Sequence, residues 1–267
     1  MTFTQFYGMA YNPFDKDLST KNAYQTKDME SMIGRLDFIK SHPGIGLFTA
    51  TPGQGKTFTL HSFANTLNPN LTKFHYLCLS TVTNSEFYRQ LCTELGLPPS
   101  HRKSDMFKAL QEFFTEMSVD KRIHYIICLD EAQYLNDSIL RDLKILMNFE
   151  MDSVNRFSLI LAGQPHLAAT LMHQPHEALR QRITVNYRFE GLSESEAISY
   201  IKDRMTLVNA SDVIFDEAAM LTAFGACESS IRRLNLILTK ALTIGSQNQR
   251  QNIDSDIILA AVNDIAF

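Results

Sequence analysis

The stretch Ala50-Thr51-Pro52-Gly53-Gln54-Gly55-Lys56-Thr57 limits the fold more than any other part of this chain. It follows the apolar run Gly44–Ala50 (GIGLFTA) and opens the helically spaced segment Thr57–Leu67. It fits the phosphate-binding pattern GxxxxGK[ST] everywhere except the first position, where Ala50 replaces glycine. The chemistry explains the residue types. Gly53 and Gly55 let backbone N–H groups curl around a phosphate. A helix starting near Lys56 adds its positive end. Lys56 can reach β- and γ-phosphates, and the Thr57 hydroxyl can bind Mg²⁺. Ala50 alters the entrance of the loop and not the cradle.

A loop of this kind needs a parallel sheet behind it, and the rest of the sequence supplies one. Phe74–Ser80, His124–Asp130, Phe157–Gly163 and Ile183–Phe189 read as strands. Helical segments alternate with them at Asn84–Leu95, Ser104–Met117 and Ser138–Phe149, with shorter ones at Pro165–Met172 and Pro175–Arg182. Pro98-Pro99 breaks the chain between two of these. Strands apolar on both faces, alternating with helices, predict an α/β domain with a parallel sheet between helical layers. Residues 1–40 read as mixed, with a turn at Tyr11-Asn12-Pro13-Phe14. After Gly191 only helices follow, at Ser193–Leu207, Asp216–Ala226, Ser229–Thr243 and Asp254–Ile265. Ser193 with Glu196 three residues on is a capping signal. The expected division is an α/β domain over 1–191 and a small all-α lid over 192–267.

Asp130-Glu131 ends a buried strand, where open parallel sheets bind their ligands. Asp130 is placed to hold Mg²⁺, and Glu131 to polarise an attacking water as general base. Glu131 favours hydrolysis over transfer to a small acceptor, which disfavours a small-molecule kinase. Gln164 ends the next strand and can orient the water or contact the γ-phosphate; the alternative is a cap on the helix at Pro165. Arg180 and Arg182 precede the last strand, and either can reach a neighbour's γ-phosphate in trans; Arg182 is preferred. Of Arg232 and Arg233, about 100° apart on one helix, only one can face a nucleotide, and Arg232 is chosen.

Charge and cysteine usage narrow the partners. The chain has 25 Lys+Arg against 29 Asp+Glu, so it is not a polycation. Residues 192–267 carry 6 basic and 10 acidic residues, leaving 19 of each in 1–191. Any DNA is therefore expected on the α/β domain. Ser80–Ser85 offers hydroxyls and amides, and His101–Ser104 is the densest basic loop. Thr81, Thr83, Asn84, Arg102 and Lys103 are the candidate contacts, with weak sequence preference. Cys78, Cys92, Cys128 and Cys227 form no CxxC pair and read as buried free thiols. The N-terminus lacks a signal-like run, and no apolar run approaches a membrane span, so a cytoplasmic protein without a membrane partner is expected.

Taken together, Phe6-Tyr7-Gly8 with Asn12-Pro13-Phe14, the loop Gly53–Thr57, Asp130-Glu131-Ala132-Gln133, Ala162-Gly163-Gln164-Pro165, Arg180-Gln181-Arg182-Ile183 and Arg232-Arg233-Leu234-Asn235 resemble an AAA+ ATPase. The nearest likeness is to the ExeA/TniB group, which broadly includes the transposition regulators TnsC and Mu B. The resemblance implies a five-stranded parallel sheet followed by a helical lid. It implies ATP and Mg²⁺ bound between subunits of a ring or helical filament. It implies a nucleotide-binding set of Tyr11, Asn12, Pro13, Phe14, Thr51, Pro52, Gly53, Gln54, Gly55, Lys56, Thr57, Phe58 and Arg232. Arg182 is then the finger and Arg232 the lid sensor. Ser229, Ser230 and Ile231 depart from the Gly and Pro that often precede that sensor. Secretion-type members carry a membrane segment and a wall-binding domain after the ATPase; the end at Phe267 shifts the expectation toward mobile-element members. The expected function is ATP-dependent assembly on double-stranded DNA to recruit or activate a transposase, with a target-selection protein as a further partner. The alternative is an ExeA-like ATPase that remodels a protein partner without DNA.

Overall fold

The most apolar strands lie at the centre of the sheet. The structure is a computed structural model, and it describes residues 2–15, 24–78, 82–210 and 214–265. Strands β1 (Ile45–Thr49), β2 (Thr72–Cys78), β3 (His124–Asp130), β4 (Ser158–Gly163) and β5 (Ile183–Arg188) form one parallel sheet in the order β2-β3-β4-β1-β5. β1 and β4 are buried throughout, and β3 at every residue after His124. The edge strands β2 and β5 are partly exposed. The pleat sends successive residues to opposite faces. Leu47, Ile127, Leu129, Leu159 and Leu161 therefore meet one helical layer through Phe87, Leu91, Leu110, Phe114 and Leu143. Phe48, Ile126, Cys128, Ile160 and Ala162 meet the other through Met32, Leu36, Ile39, Leu60 and Phe63. Two of the four cysteines, Cys92 and Cys128, are buried here, but Cys78 at the end of β2 is exposed, because an edge strand lacks cover on one side.

The helix Lys27–Ser41 lies within the stretch that reads as mixed. Its stripe Met29, Met32, Leu36, Ile39 is fully helical in spacing and is buried. The signal was present, with Thr26 just before the first helical residue and Asp28 in the first turn.

A buried polar hub ties this layer to the sheet. Ser158 Oγ donates to the Ile39 carbonyl at 3.1 Å, accepts from the Gly44 N–H at 3.4 Å and lies 3.0 Å from His124 Nε2. With its single proton committed to Ile39, the hydroxyl accepts from His124, which assigns the proton to Nε2. Burial pushes the His124 imidazole down to about 4. The folded state thus holds a neutral ring that the unfolded chain would protonate first. The associated stability is complete above pH 6.5 and is lost as the pH falls toward 4, up to about 3 kcal/mol. Thermal melts across that window should show a falling midpoint. His124→Asn should flatten the fall; an unchanged slope would refute the assignment.

The chain divides into two units. One is Met29–Ala50 with Lys56–Phe189; the other is Met1–Asp28 with Thr51–Gly55 and Glu190–Phe267. The last segment of the helical unit runs from Glu190 to Phe267. The N-terminal segment, expected with the α/β domain, instead packs with the helices. Tyr7, Met9 and Phe14 are buried in one core with Leu192, Tyr200, Phe215, Leu238 and Ile253. Burying three such side chains stabilises by roughly 5 kcal/mol, which fixes the segment's allegiance. The Tyr7 hydroxyl also donates to the Arg250 carbonyl at 2.9 Å. Four helices make up the rest: Glu194–Leu207, Glu217–Cys227, Ile231–Gln247 and Ser255–Ile265. The Ser193–Glu196 capping box is present, as the sequence predicts. No helix among the described residues is long and apolar enough to cross a membrane.

Candidate nucleotide site

Parallel strands of matched register end together. In β2, β3, β4 and β1, Cys78 pairs with Asp130, Leu129 with Leu161 and Thr49 with Gly163. That row of carboxyl ends presents the candidate chemistry of the α/β unit. Helix Lys56–Ala64 starts there, and its first two residues reach the end of β3. Lys56 Nζ forms a buried ion pair with Asp130 Oδ1 and lies 3.9 Å from Glu131 Oε1. The Thr57 hydroxyl donates to Asp130 Oδ2 at 2.8 Å.

Asp130 is 1% exposed and holds four donors. Besides Lys56 and Thr57 these are the Tyr76 hydroxyl at 2.8 Å and the Glu131 N–H at 2.9 Å. Burial alone would raise its carboxyl. The Lys56 ammonium, with hydrogen bonds from Lys56, Thr57 and the Glu131 N–H, more than offsets that and holds it below the ordinary range. Burial first, and then the bond to Asp130, pushes Tyr76 well up, so it stays a neutral donor. Sequence reading missed Tyr76. The signal available was its place on β2, two residues before the one that pairs with Asp130.

Glu131 adopts a left-handed backbone, φ 53 and ψ 33. A non-glycine residue there costs about 1 kcal/mol. Its N–H bond to Asp130 offsets that cost. Gln133, on the short turn Ala132–Tyr134, donates from Nε2 to Glu131 Oε2 at 2.5 Å. Its Oε1 accepts the Gln164 N–H at 3.0 Å. Gln164 occupies the cap position of helix Pro165–Leu171, yet its side chain makes no capping bond. The capping alternative for its amide is therefore not what the structure contains.

In the helical unit, Gly53 and Gly55 have φ of 88° and 100°, conformations that favour glycine. A Cβ on Gly53 would also come within 2.3 Å of Ser230 Oγ. Gln54, buried, accepts the Thr51 N–H through its side chain at 2.8 Å and closes the loop. Arg232 sits against this loop. Its N–H donates to the Gly53 carbonyl at 3.2 Å, whereas Arg233 pairs with Glu228. Ser230 caps the helix and donates to the Pro52 carbonyl at 3.3 Å. Ser230 and the Arg232 N–H together hold the start of this helix against the loop.

Several sequence-predicted residues are placed differently. Pro13 and Phe14 are buried, Phe14 edge-on to Phe215 at 6.2 Å, so their surface is taken by packing. Asn12 closes a turn onto the Phe14 N–H and reaches Thr239. Of this segment Tyr11, 41% exposed, keeps a face for a base, and Phe58 is also exposed. Arg182 is not an open finger. It pairs with Asp152 and donates to the Lys144 carbonyl at 3.3 Å, and burial lowers its pKa. Arg180 donates to the Met172 carbonyl at 2.9 Å. Among the DNA candidates, Thr83 caps the helix Asn84–Glu94 with Glu86. Asn84 bonds Asp142 and Ser138. Lys103 pairs with Asp142 over the Tyr88 ring. Arg102 is exposed, and Thr81 lies outside the described residues.

A hydroxyl and a carboxylate already in contact, both hard oxygen donors, suit Mg²⁺. Among the described residues no group of three His, Cys, Asp or Glu could hold a metal by itself, so such an ion needs the substrate's oxygens as well.

The family described as AAA domain matches residues 39–171. General secretion pathway protein A of Aeromonas hydrophila is 27% identical over 266 residues, covering 97% of this chain and 48% of the relative. The chain thus spans about half the length of that relative. Cdc6p from Pyrobaculum aerophilum aligns at TM-score 0.72 and 16% identity, covering 96% of this chain and 71% of that one. Drosophila ORC bound to DNA aligns at 0.70 and 16%, covering 99% and 66%. The RuvB Holliday junction branch migration motor of Thermotoga maritima aligns at 0.58 and 17%, covering 90% and 70%.

Proposed function

Because this chain is an AAA+ ATPase of the ExeA-like group, we propose that ATP switches it into an assembly of its own copies on double-stranded DNA, where it recruits or activates a transposase. The observation that carries the switch is the cluster of Lys56, Thr57, Asp130 and Glu131. The Lys56 ammonium is paired with Asp130. A triphosphate offers it a stronger partner, and Asp130 with Thr57 would then hold Mg²⁺. The ion's contribution is to neutralise phosphate charge. Glu131 polarises the attacking water, Gln164 contacts the γ-phosphate side, and Arg232 senses the bound nucleotide from beside Gly53. Arg182 acts as the trans finger once a neighbour's phosphate replaces Asp152.

Support for DNA comes from ORC proteins solved with DNA and from the exposed Arg102. The motif set Asn-Pro-Phe, Gly-Gln-Pro and Gln-Arg-Ile supports the ExeA/TniB-like group, to which the transposase reading belongs. The near full-chain likeness to a secretion protein favours a second reading, remodelling of a protein partner.

Fluorescence anisotropy with duplex DNA at low salt decides between them. ATP should tighten binding at least about tenfold over ADP, with a steep loss on adding salt. Absence of binding in every nucleotide state would remove the DNA reading and leave the partner-remodelling one.

A further inference from the structure

Gln133 touches both ends of the reaction's geometry and has no role in the reading above. One amide side chain makes two bonds of opposite sense. Nε2 donates to Glu131 Oε2, and Oε1 accepts the Gln164 N–H. The orientation is unambiguous, because a carboxylate only accepts and a backbone N–H only donates. The seat is close-fitting. A Cβ on Gly163 would stand 2.6 Å from Gln133 Oε1, so glycine at the end of β4 makes room for this amide.

The arrangement divides the Glu131 carboxylate. Oε2 is held by Gln133, while Oε1 faces Lys56 at 3.9 Å. A general base needs one oxygen aimed at water and a carboxylate that does not rotate between the two. Held at Oε2 by Gln133, Glu131 keeps its other oxygen, Oε1, on the side of Lys56. Its anchor is the backbone of the residue proposed to contact the γ-phosphate, so both move as one piece.

We propose that Gln133 is a positioning residue, coupling the Glu131 carboxylate to the end of strand β4 that carries Gln164. The proposal rests on Glu131 being the general base, so the test includes that residue. Turnover and ATP affinity are measured for the unchanged chain, Gln133→Met, Gln133→Glu, Glu131→Gln and the Glu131→Gln/Gln133→Met double variant. Gln133→Met keeps the length and loses both bonds. Gln133→Glu keeps the acceptor for Gln164 and loses the donor to Glu131, which covers the case where the first variant folds poorly.

Both single Gln133 variants should bind ATP within about twofold of the unchanged chain and turn over about tenfold more slowly. In the Glu131→Gln background, Gln133→Met should add no further loss, because a positioning residue has nothing left to position. Full turnover in both Gln133 variants overturns the proposal. So does an equal loss in both backgrounds, which would place the effect elsewhere. Normal turnover in Glu131→Gln alone would instead remove the general-base reading beneath it.

Discussion

Lys56→Ala is expected to weaken ATP binding by at least about 100-fold, measured by calorimetry with Mg²⁺. The ammonium is the cation that the phosphate-loop motif supplies for a triphosphate, and no second cation of the α/β unit pairs with the Asp130–Glu131 carboxylates among the described residues. Unaltered affinity would contradict the cradle. The same change has a second consequence. Lys56 is 8% exposed and Asp130 1%, so the substitution leaves a buried carboxylate without its counter-charge. Breaking a buried pair from one side costs about 3 kcal/mol or more. The variant should therefore melt earlier at neutral pH. The sign with pH is definite. Asp130 in the unchanged chain lies below its ordinary value, so its pair adds stability above that value and loses it as pH falls. In the variant the deficit should shrink in acid, where Asp130 takes up a proton and its charge no longer needs a partner. A deficit that persists equally in acid would show that lost packing, not charge, destabilises the variant.

Glu131→Gln is expected to keep ATP affinity and slow hydrolysis by about 10²- to 10⁴-fold. The amide cannot take a proton from water, but it retains the shape and leaves the Asp130–Lys56–Thr57 contacts untouched. A variant that binds without cutting should accumulate in whatever assembled state ATP favours, which sedimentation in ATP would register. Turnover near that of the unchanged chain would refute the assignment. The two substitutions separate cleanly, one failing at binding and the other after it.

Much of this site was legible along the chain because its parts are local. Gly53, Gly55, Lys56 and Thr57 are fixed by a loop whose backbone conformation demands glycine and by the helix that begins at its end. Asp130-Glu131 announces itself as two carboxylates after five apolar residues. The helical unit was legible for the same reason, since Ser193, Asp216 and Ser230 cap helices within three residues of themselves. Tyr76, Ser230 and Gln133 were missed in their site roles, as was Gln54 as the residue closing the loop. A tyrosine on an edge strand and a glutamine after an acidic pair carry no signal until strand register sets them beside Asp130 and Gly163.

The N-terminal segment and the arginines mark the other limit. Nothing local distinguishes a Phe14 that stacks on a base from one that fills a core, or an Arg182 held open from one paired with Asp152. Local backbone demands and hydrophobic period are written into neighbouring residues, which is why the phosphate loop, the parallel α/β sheet and the helices after Gly191 could be read along the chain. Who partners whom across 30 to 200 residues is set by packing. The four donors on Asp130, the Gln133 bridge and the allegiance of the first 28 residues were therefore decided by the tertiary structure alone.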